Sequence, residues 1–233
     1  MKTPRIAINP ILSATRLLLL GAILCPPMLR ADKATVHPRP DPARFAKEIA
    51  AFDDAWKKDP APTGGIVFTG SSSVRLWDVK KAFPDLPVLN RGFGGSVAND
   101  LNVYAGQVVL RYKPKVLVVY TGSNDLHAKL EPEEAFADYE KFLLLVHEKL
   151  PDTRVIVSSV KFAPSRVTEM DAVKKLNGML ESWCREKTWV RWVEATSFVI
   201  GADGQPIESL YRSDRLHLND DGYAKWNAII GPV

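Results

Sequence analysis

Cysteine is nearly missing from this chain: two occur in 233 residues, Cys25 and Cys184. Cys25 lies in an N-terminal segment with the marks of a removable leader. A processed chain would keep only Cys184, which excludes an intrachain disulfide and leaves stability to packing. Acidic residues are absent from positions 1–31, where Lys2, Arg5, Arg16 and Arg30 stand alone. Of 31 basic residues, those four removed leave 27, matched by all 27 acidic ones, so the net charge of +4 belongs to that first segment. A body without excess charge lacks the positive patch that a phosphate backbone requires, and no nucleic acid is expected as partner. Long apolar runs are missing too. LLLLGAILCPPML (17–29) is broken by Pro26 and Pro27 and falls short of the ~20 residues of a spanning helix. The chain has no G-K-[ST] loop, no HExxH and no Cys/His cluster, so no nucleotide, cofactor or metal is expected. The absence of G-x-S-x-G removes the strained serine elbow of ordinary α/β-hydrolases.

What the N-terminus does contain is a basic start, the apolar run and small residues around Ala31 and Ala34, the pattern of an export signal over 1–31. The destination is then periplasmic or extracellular, with no membrane span after cleavage. A retained anchor is the alternative. Lipid attachment at Cys25 is disfavoured by the bulky Leu24 before it. Positions 32–64 read as a linker, DKATVHPRPD (32–41), then a helix over Ala43 to Lys58 closed by PAPTGG (60–65).

From 65 to 233, apolar β-rich runs alternate with helix-period segments. The runs are GIVFTG (65–70), LPVLNRG (86–92), KVLVVYTG (115–122), TRVIVSSV (153–160) and TWVRWVE (188–194). VLVVY is apolar throughout, as in strands covered on both faces. Repeated βα units predict one domain, a three-layer α/β/α sandwich, flavodoxin-like, with a five-stranded parallel sheet and right-handed crossovers. Ligands bind such sheets beyond the carboxyl ends of the strands, and the unusual residues fall there. The first run ends in Gly70-Ser71-Ser72-Ser73, the second in RGFGGS (91–96), the third in TGSND (121–125).

Each stretch has a plain reading and a chemical one. The serines could merely cap a helix, or one could be a nucleophile beside the free N–H groups of a helix start. RGFGGS could be a tight turn. It is not G-x-G-x-x-G, since Val97 fills the last place, but a Cβ-free residue could aim its N–H at an oxyanion. Asn124 could be a turn residue or a third donor. Among four histidines, His37 lies in the linker, His147 on an amphipathic helix, and His127 has no obvious orienting carboxylate. His217 differs, because Asp214 three residues earlier can fix its tautomer while the other nitrogen accepts a serine proton. Trp77, Phe93 and Phe162 could line a pocket or fill the core.

The order GSSS, RGFGGS, GSND and DRLH resembles the SGNH hydrolases, also called GDSL-type esterases and lipases, over 65 to about 230. FTGSSSVRLW, VVYTGSNDL, SVKFAPSR and HLNDDGYAKWN are similar to secreted bacterial members. The resemblance implies Ser72 as nucleophile, His217 as base and Asp214 as its partner, with an oxyanion hole from Ser72, Gly95 and Asn124. Ser71 stands where the family more often has Asp, and Ser71 and Ser73 are chemically equal to Ser72. The implied activity is hydrolysis of carboxylic esters: short acyl or O-acetyl carbohydrate esters first, lysophospholipids second. Two rivals are a non-catalytic carbohydrate- or lipid-binding protein and a sugar O-acyltransferase.

Overall fold

The computed structural model describes residues 37–195 and 197–233; the expected leader over 1–31 lies outside the described residues. β-branched and aromatic residues set the strands: β1 (Ile66–Gly70), β2 (Val88–Gly92), β3 (Val116–Tyr120), β4 (Arg154–Ser158) and β5 (Val190–Val193). They form one parallel sheet in the order β2-β1-β3-β4-β5, so the expected sandwich and its five strands are observed. Each strand begins one or two residues inside its apolar run; β1 and β2 end with their runs, and β3, β4 and β5 stop one or two residues earlier.

The helices are α1 (Ala46–Lys58), α2 (Ser72–Arg75), α3 (Val79–Ala82), α4 (Ala98–Val108), α5 (Ser123–His127), α6 (Pro132–Lys149), α7 (Met170–Arg185) and α8 (Asp220–Ile230). On one face α1 packs on α4, α4 on α6 and α6 on α7. The other face carries α2, α3 and α8, locked by aromatic rings. Trp77 stacks on Trp226 at 4.5 Å, Phe68 of β1 meets Trp77 edge-on at 5.3 Å, and Trp77 Nε1 donates to Asn227 Oδ1 at 2.7 Å. Trp77, Phe93 and Phe162 are all buried, so they fill the core. Burial of this kind stabilises by roughly 1.5–3 kcal/mol for a large apolar side chain.

The residues 37–41 are tethered to α6. His37 donates its backbone N–H to Glu134 Oε1 at 2.8 Å, and Arg39 Nε donates to Asp138 Oδ2 at 2.8 Å. The helix expected from Ala43 divides into a 3-10 turn, Pro42–Phe45, and α1.

The chain leaves β1 for β2 on one side and later crosses to β3 on the other. This reversal opens a crevice beyond the carboxyl ends of β1 and β3. Gly70 ends β1 there, in register with Gly92 and Tyr120. Its φ of +139° and the Tyr120 carbonyl, which would lie 1.8 Å from a Cβ, both require glycine.

Candidate active site

The crevice is built from the loops that follow β1, β2 and β3. Their roots are held together: Ser71 N–H donates to Tyr120 O at 3.1 Å, and Phe93 N–H to Gly70 O at 2.9 Å. The three serines after Gly70 then separate by environment. Ser71 and Ser73 are buried, 3% and 4% exposed, and Ser73 O accepts from Tyr223 OH of α8 at 2.7 Å. Ser72 is partly open, and it begins α2, so its N–H has no intrahelical partner. Its Oγ lies 2.7 Å from His217 Nε2, although 145 residues separate them.

His217 and Asp214 sit on a loop closed by the Tyr211–Leu218 bridge and by Arg212 N–H donating to His217 O at 2.8 Å. Arg215 takes a left-handed φ of +57° to make the turn. His217 Nδ1 pairs with Asp214 Oδ2 at 2.7 Å, while Asp214 Oδ1 accepts the N–H groups of Leu216 and His217, each at 2.9 Å. Burial opposes ionisation of Asp214. The hydrogen bonds from His217 and from the two backbone groups outweigh it and hold the carboxyl down at about 2.

Gly95 is exposed with φ +82°, and no atom lies within 4 Å of where a Cβ would stand. Asn124, near the start of α5, donates Nδ2 to Ser96 O at 3.0 Å and so joins the second loop to the third. Two buried carboxylates anchor the second loop from behind: Asp100 accepts from Val97 N–H and Asp125 from Ala98 N–H, both at 2.8 Å. Thus Ser72, His217 and Asp214 form one hydrogen-bonded chain, with Gly95 on the second loop and Asn124 at the start of α5 beside it.

Several neighbours had no sequence signal beyond their place in SVKFAPSR. Arg166 donates to Ser123 O and Oγ and to Asn124 Oδ1. Lys161 is 3% exposed and donates to Leu216 O at 2.6 Å. Burial, with help from the Arg166 charge and against that of Asp214, pushes the Lys161 ammonium down to about 7. His127 does have a carboxylate, contrary to the expectation: Glu169, 42 residues on, meets Nδ1 at 2.8 Å, with the ring largely in solvent. His147 stacks on Trp189 at 4.2 Å, and His37 Nδ1 meets Glu134 at 2.7 Å. A cavity of about 470 Å³ lies elsewhere, reaching Ile66, Val88, Val116 and Arg154, where strands begin. It is at the opposite end of the sheet from this chemistry. No group of acidic, His or Cys side chains fit to hold a metal occurs among the described residues.

A doubly wound parallel sheet with a serine, histidine and carboxylate linked at its switch point belongs to the hydrolase class of such folds. The profile of the GDSL-like lipase/acylhydrolase family matches residues 70–225, and the chain belongs to that family. It is accordingly a carboxylic ester hydrolase. Solved structures share the fold. One from Streptococcus pneumonia, named for platelet activating factor, is 19% identical with TM-score 0.70, covering 81% of this chain and 92% of that one. A GDSL-like lipase from Bacteroides thetaiotaomicron is 21% identical with TM-score 0.64, covering 82% and 96%. A carbohydrate esterase family 3 structure from Talaromyces cellulolyticus is 17% identical with TM-score 0.57, covering 73% and 95%. Comparison with curated proteins gives no match.

Proposed function

We propose that Ser72 Oγ attacks the ester carbonyl while His217 Nε2 takes its proton and Asp214 steadies the imidazolium. The carbonyl oxygen becomes an oxyanion that accepts from the N–H groups of Ser72 and Gly95 and from the Asn124 amide. Collapse expels the alcohol, which leaves with the proton from His217. Water, deprotonated by the same imidazole, then frees the acid from Ser72. The observation that carries this reading is the 2.7 Å contact of Ser72 Oγ with His217 Nε2, continued at 2.7 Å to Asp214.

The substrate we propose is a short acyl ester, foremost an O-acetyl group on a carbohydrate. The crevice is rimmed by polar groups suited to a hydroxyl-rich alcohol: Asn124 and Arg166 are partly open and Asp214 is exposed. A carbohydrate esterase and an acetyl esterase stand among the structural relatives. A lysophospholipid is the second choice, favoured by the relative named for platelet activating factor. We propose further that the protein is exported, with 1–31 removed.

Purified protein should hydrolyse p-nitrophenyl acetate and be labelled by a fluorophosphonate. Ser72→Ala should lose both while melting at the wild-type temperature, and Ser71→Ala should keep both. Turnover that survives Ser72→Ala would move the nucleophile. Acetylated xylan beside lysophosphatidylcholine would rank the substrates, and acetyl groups appearing on an acceptor sugar would indicate acyl transfer.

A further inference from the structure

SVKFAPSR (159–166) carries β4 over the carboxyl edge of the sheet and is bonded to both halves of the site. Toward the loop of Asp214 and His217, Lys161 Nζ donates to Leu216 O at 2.6 Å and Ser165 N–H to Arg215 O at 3.0 Å. Tyr211 OH, from that loop, donates back to Phe162 O. Toward α5, Arg166 Nη1 donates to Ser123 O at 2.8 Å and to Ser123 Oγ at 2.6 Å, and its Nη2 donates to Asn124 Oδ1 at 3.1 Å.

The last of these contacts matters most, because an asparagine amide is nearly symmetric in shape and opposite in chemistry at its two ends. The torsion that swaps them is soft and roughly two-fold. With N–H toward an oxyanion the amide attracts; turned over, it presents a carbonyl oxygen and repels. The Asn124 amide has three hydrogen-bonding places to fill, the site included. Its oxygen takes the Arg166 guanidinium, one N–H goes to Ser96 O at 3.0 Å, and one N–H is left over. Turning it over would set N–H against N–H at Arg166 and oxygen against oxygen at Ser96. A guanidinium has no acceptor and does not deprotonate, so this preference holds at every working pH. Its charge on the amide oxygen also polarises the remaining N–H toward stronger donation.

We propose that Arg166 is the positioning residue of the oxyanion site: its bonds to Ser123 and Asn124 Oδ1 hold the Asn124 amide with an N–H, and not the oxygen, toward the developing negative charge. The proposal rests on the ester-hydrolase reading centred on Ser72. Arg166 touches no reacting atom; it acts through Asn124, and the same stretch of chain sets the base loop against that donor.

A double-mutant cycle tests this with p-nitrophenyl acetate. Arg166→Met should lower kcat by about 10²-fold, the effect of removing one oxyanion donor, with little change in KM. Asn124→Ala should do the same. In the Asn124→Ala background, Arg166→Met should have almost no further effect, because the group it orients is gone. Losses that multiply, or a loss confined to KM, would overturn the proposal. If Arg166→Met does not fold, Arg166→Lys takes its place. It keeps the charge but not the planar fork, so kcat should again fall, and only when Asn124 is present. The Asn124 side-chain amide pair, followed by NMR, gives a readout independent of turnover. It should be shifted away from the values of a free asparagine amide and exchange slowly with solvent in the wild type, and should move to free-amide shifts and fast solvent exchange in the Arg166 variant; an unchanged pair would also overturn the proposal. A wild-type protein with no ester turnover and no fluorophosphonate labelling, whose amide pair still responds to Arg166, would sink the hydrolase reading and leave the orientation intact.

Discussion

At the scale of single residues, the site depends on polar groups buried behind it. Asp125 follows Asn124 directly and is fully enclosed, one carboxylate oxygen on Ala98 N–H and the other without a partner. Burial pushes its carboxyl up to about 7, against backbone hydrogen bonds that pull it down. Folded protein therefore holds this proton more tightly than the unfolded chain, whose aspartates titrate near about 4. The stability contributed is complete below the unfolded value and is lost as pH rises through about 7. Asp125→Asn keeps an oxygen for Ala98 and cannot ionise, so it should flatten that decline. Denaturant midpoints of both proteins between pH 4 and pH 8 would check this; equal slopes would refute the assignment. The serines illustrate the same point. Chemistry alone left three of them equal, and burial of Ser71 and Ser73 separated Ser72 from its neighbours.

At the scale of elements, the turn after β1 is held by close backbone approach. Gly70→Ala would force a methyl group into the Tyr120 carbonyl and a side chain onto a φ of +139°. Overpacking and backbone strain together should cost roughly 3–5 kcal/mol, seen as a large drop in denaturant midpoint with loss of activity, since Ser72 sits two residues on. Gly178 in α7 is the contrast. A Cβ there meets nothing within 4 Å, so Gly178→Ala should stabilise by roughly 0.5–1 kcal/mol through helix propensity and leave kcat unchanged. α8 carries out two tasks: Trp226 closes the core against Trp77 and Tyr120, and Tyr223 ties the helix to the turn that carries Ser72 through Ser73 O. Its N-cap Asn219, which accepts from Gly222 N–H at 3.0 Å, follows His217 by two residues, so the docked helix fixes where the His217 loop ends.

At the scale of the whole molecule, Cys184 is the single thiol among the described residues. Cys184 is 1% exposed, and burial raises its thiol to about 12, which keeps it protonated and inert. If the protein is exported with 1–31 removed, as proposed, its intact mass should correspond to a chain beginning near Asp32 or Thr35, and its melting temperature should not respond to a reducing agent. A reductant-sensitive melt, or a mass that retains Cys25, would refute removal of the leader.

The sequence by itself determined the five strands, their alternation with helices and the order of the site motifs. Those properties are written locally, in β-branched runs such as VLVVY and in the Gly, Ser and Asn that end them. Only the tertiary structure decided which serine is open, that Glu169 partners His127, that Trp77, Phe93 and Phe162 belong to the core, and that Arg166 bonds Asn124. Each of these depends on a neighbour brought close by the order of strands in the sheet. His127 and Glu169 are 42 residues apart, and Ser72 and His217 are 145 apart. Periodicity decays within a few turns of chain, whereas burial and pairing are set by what lies across the crevice.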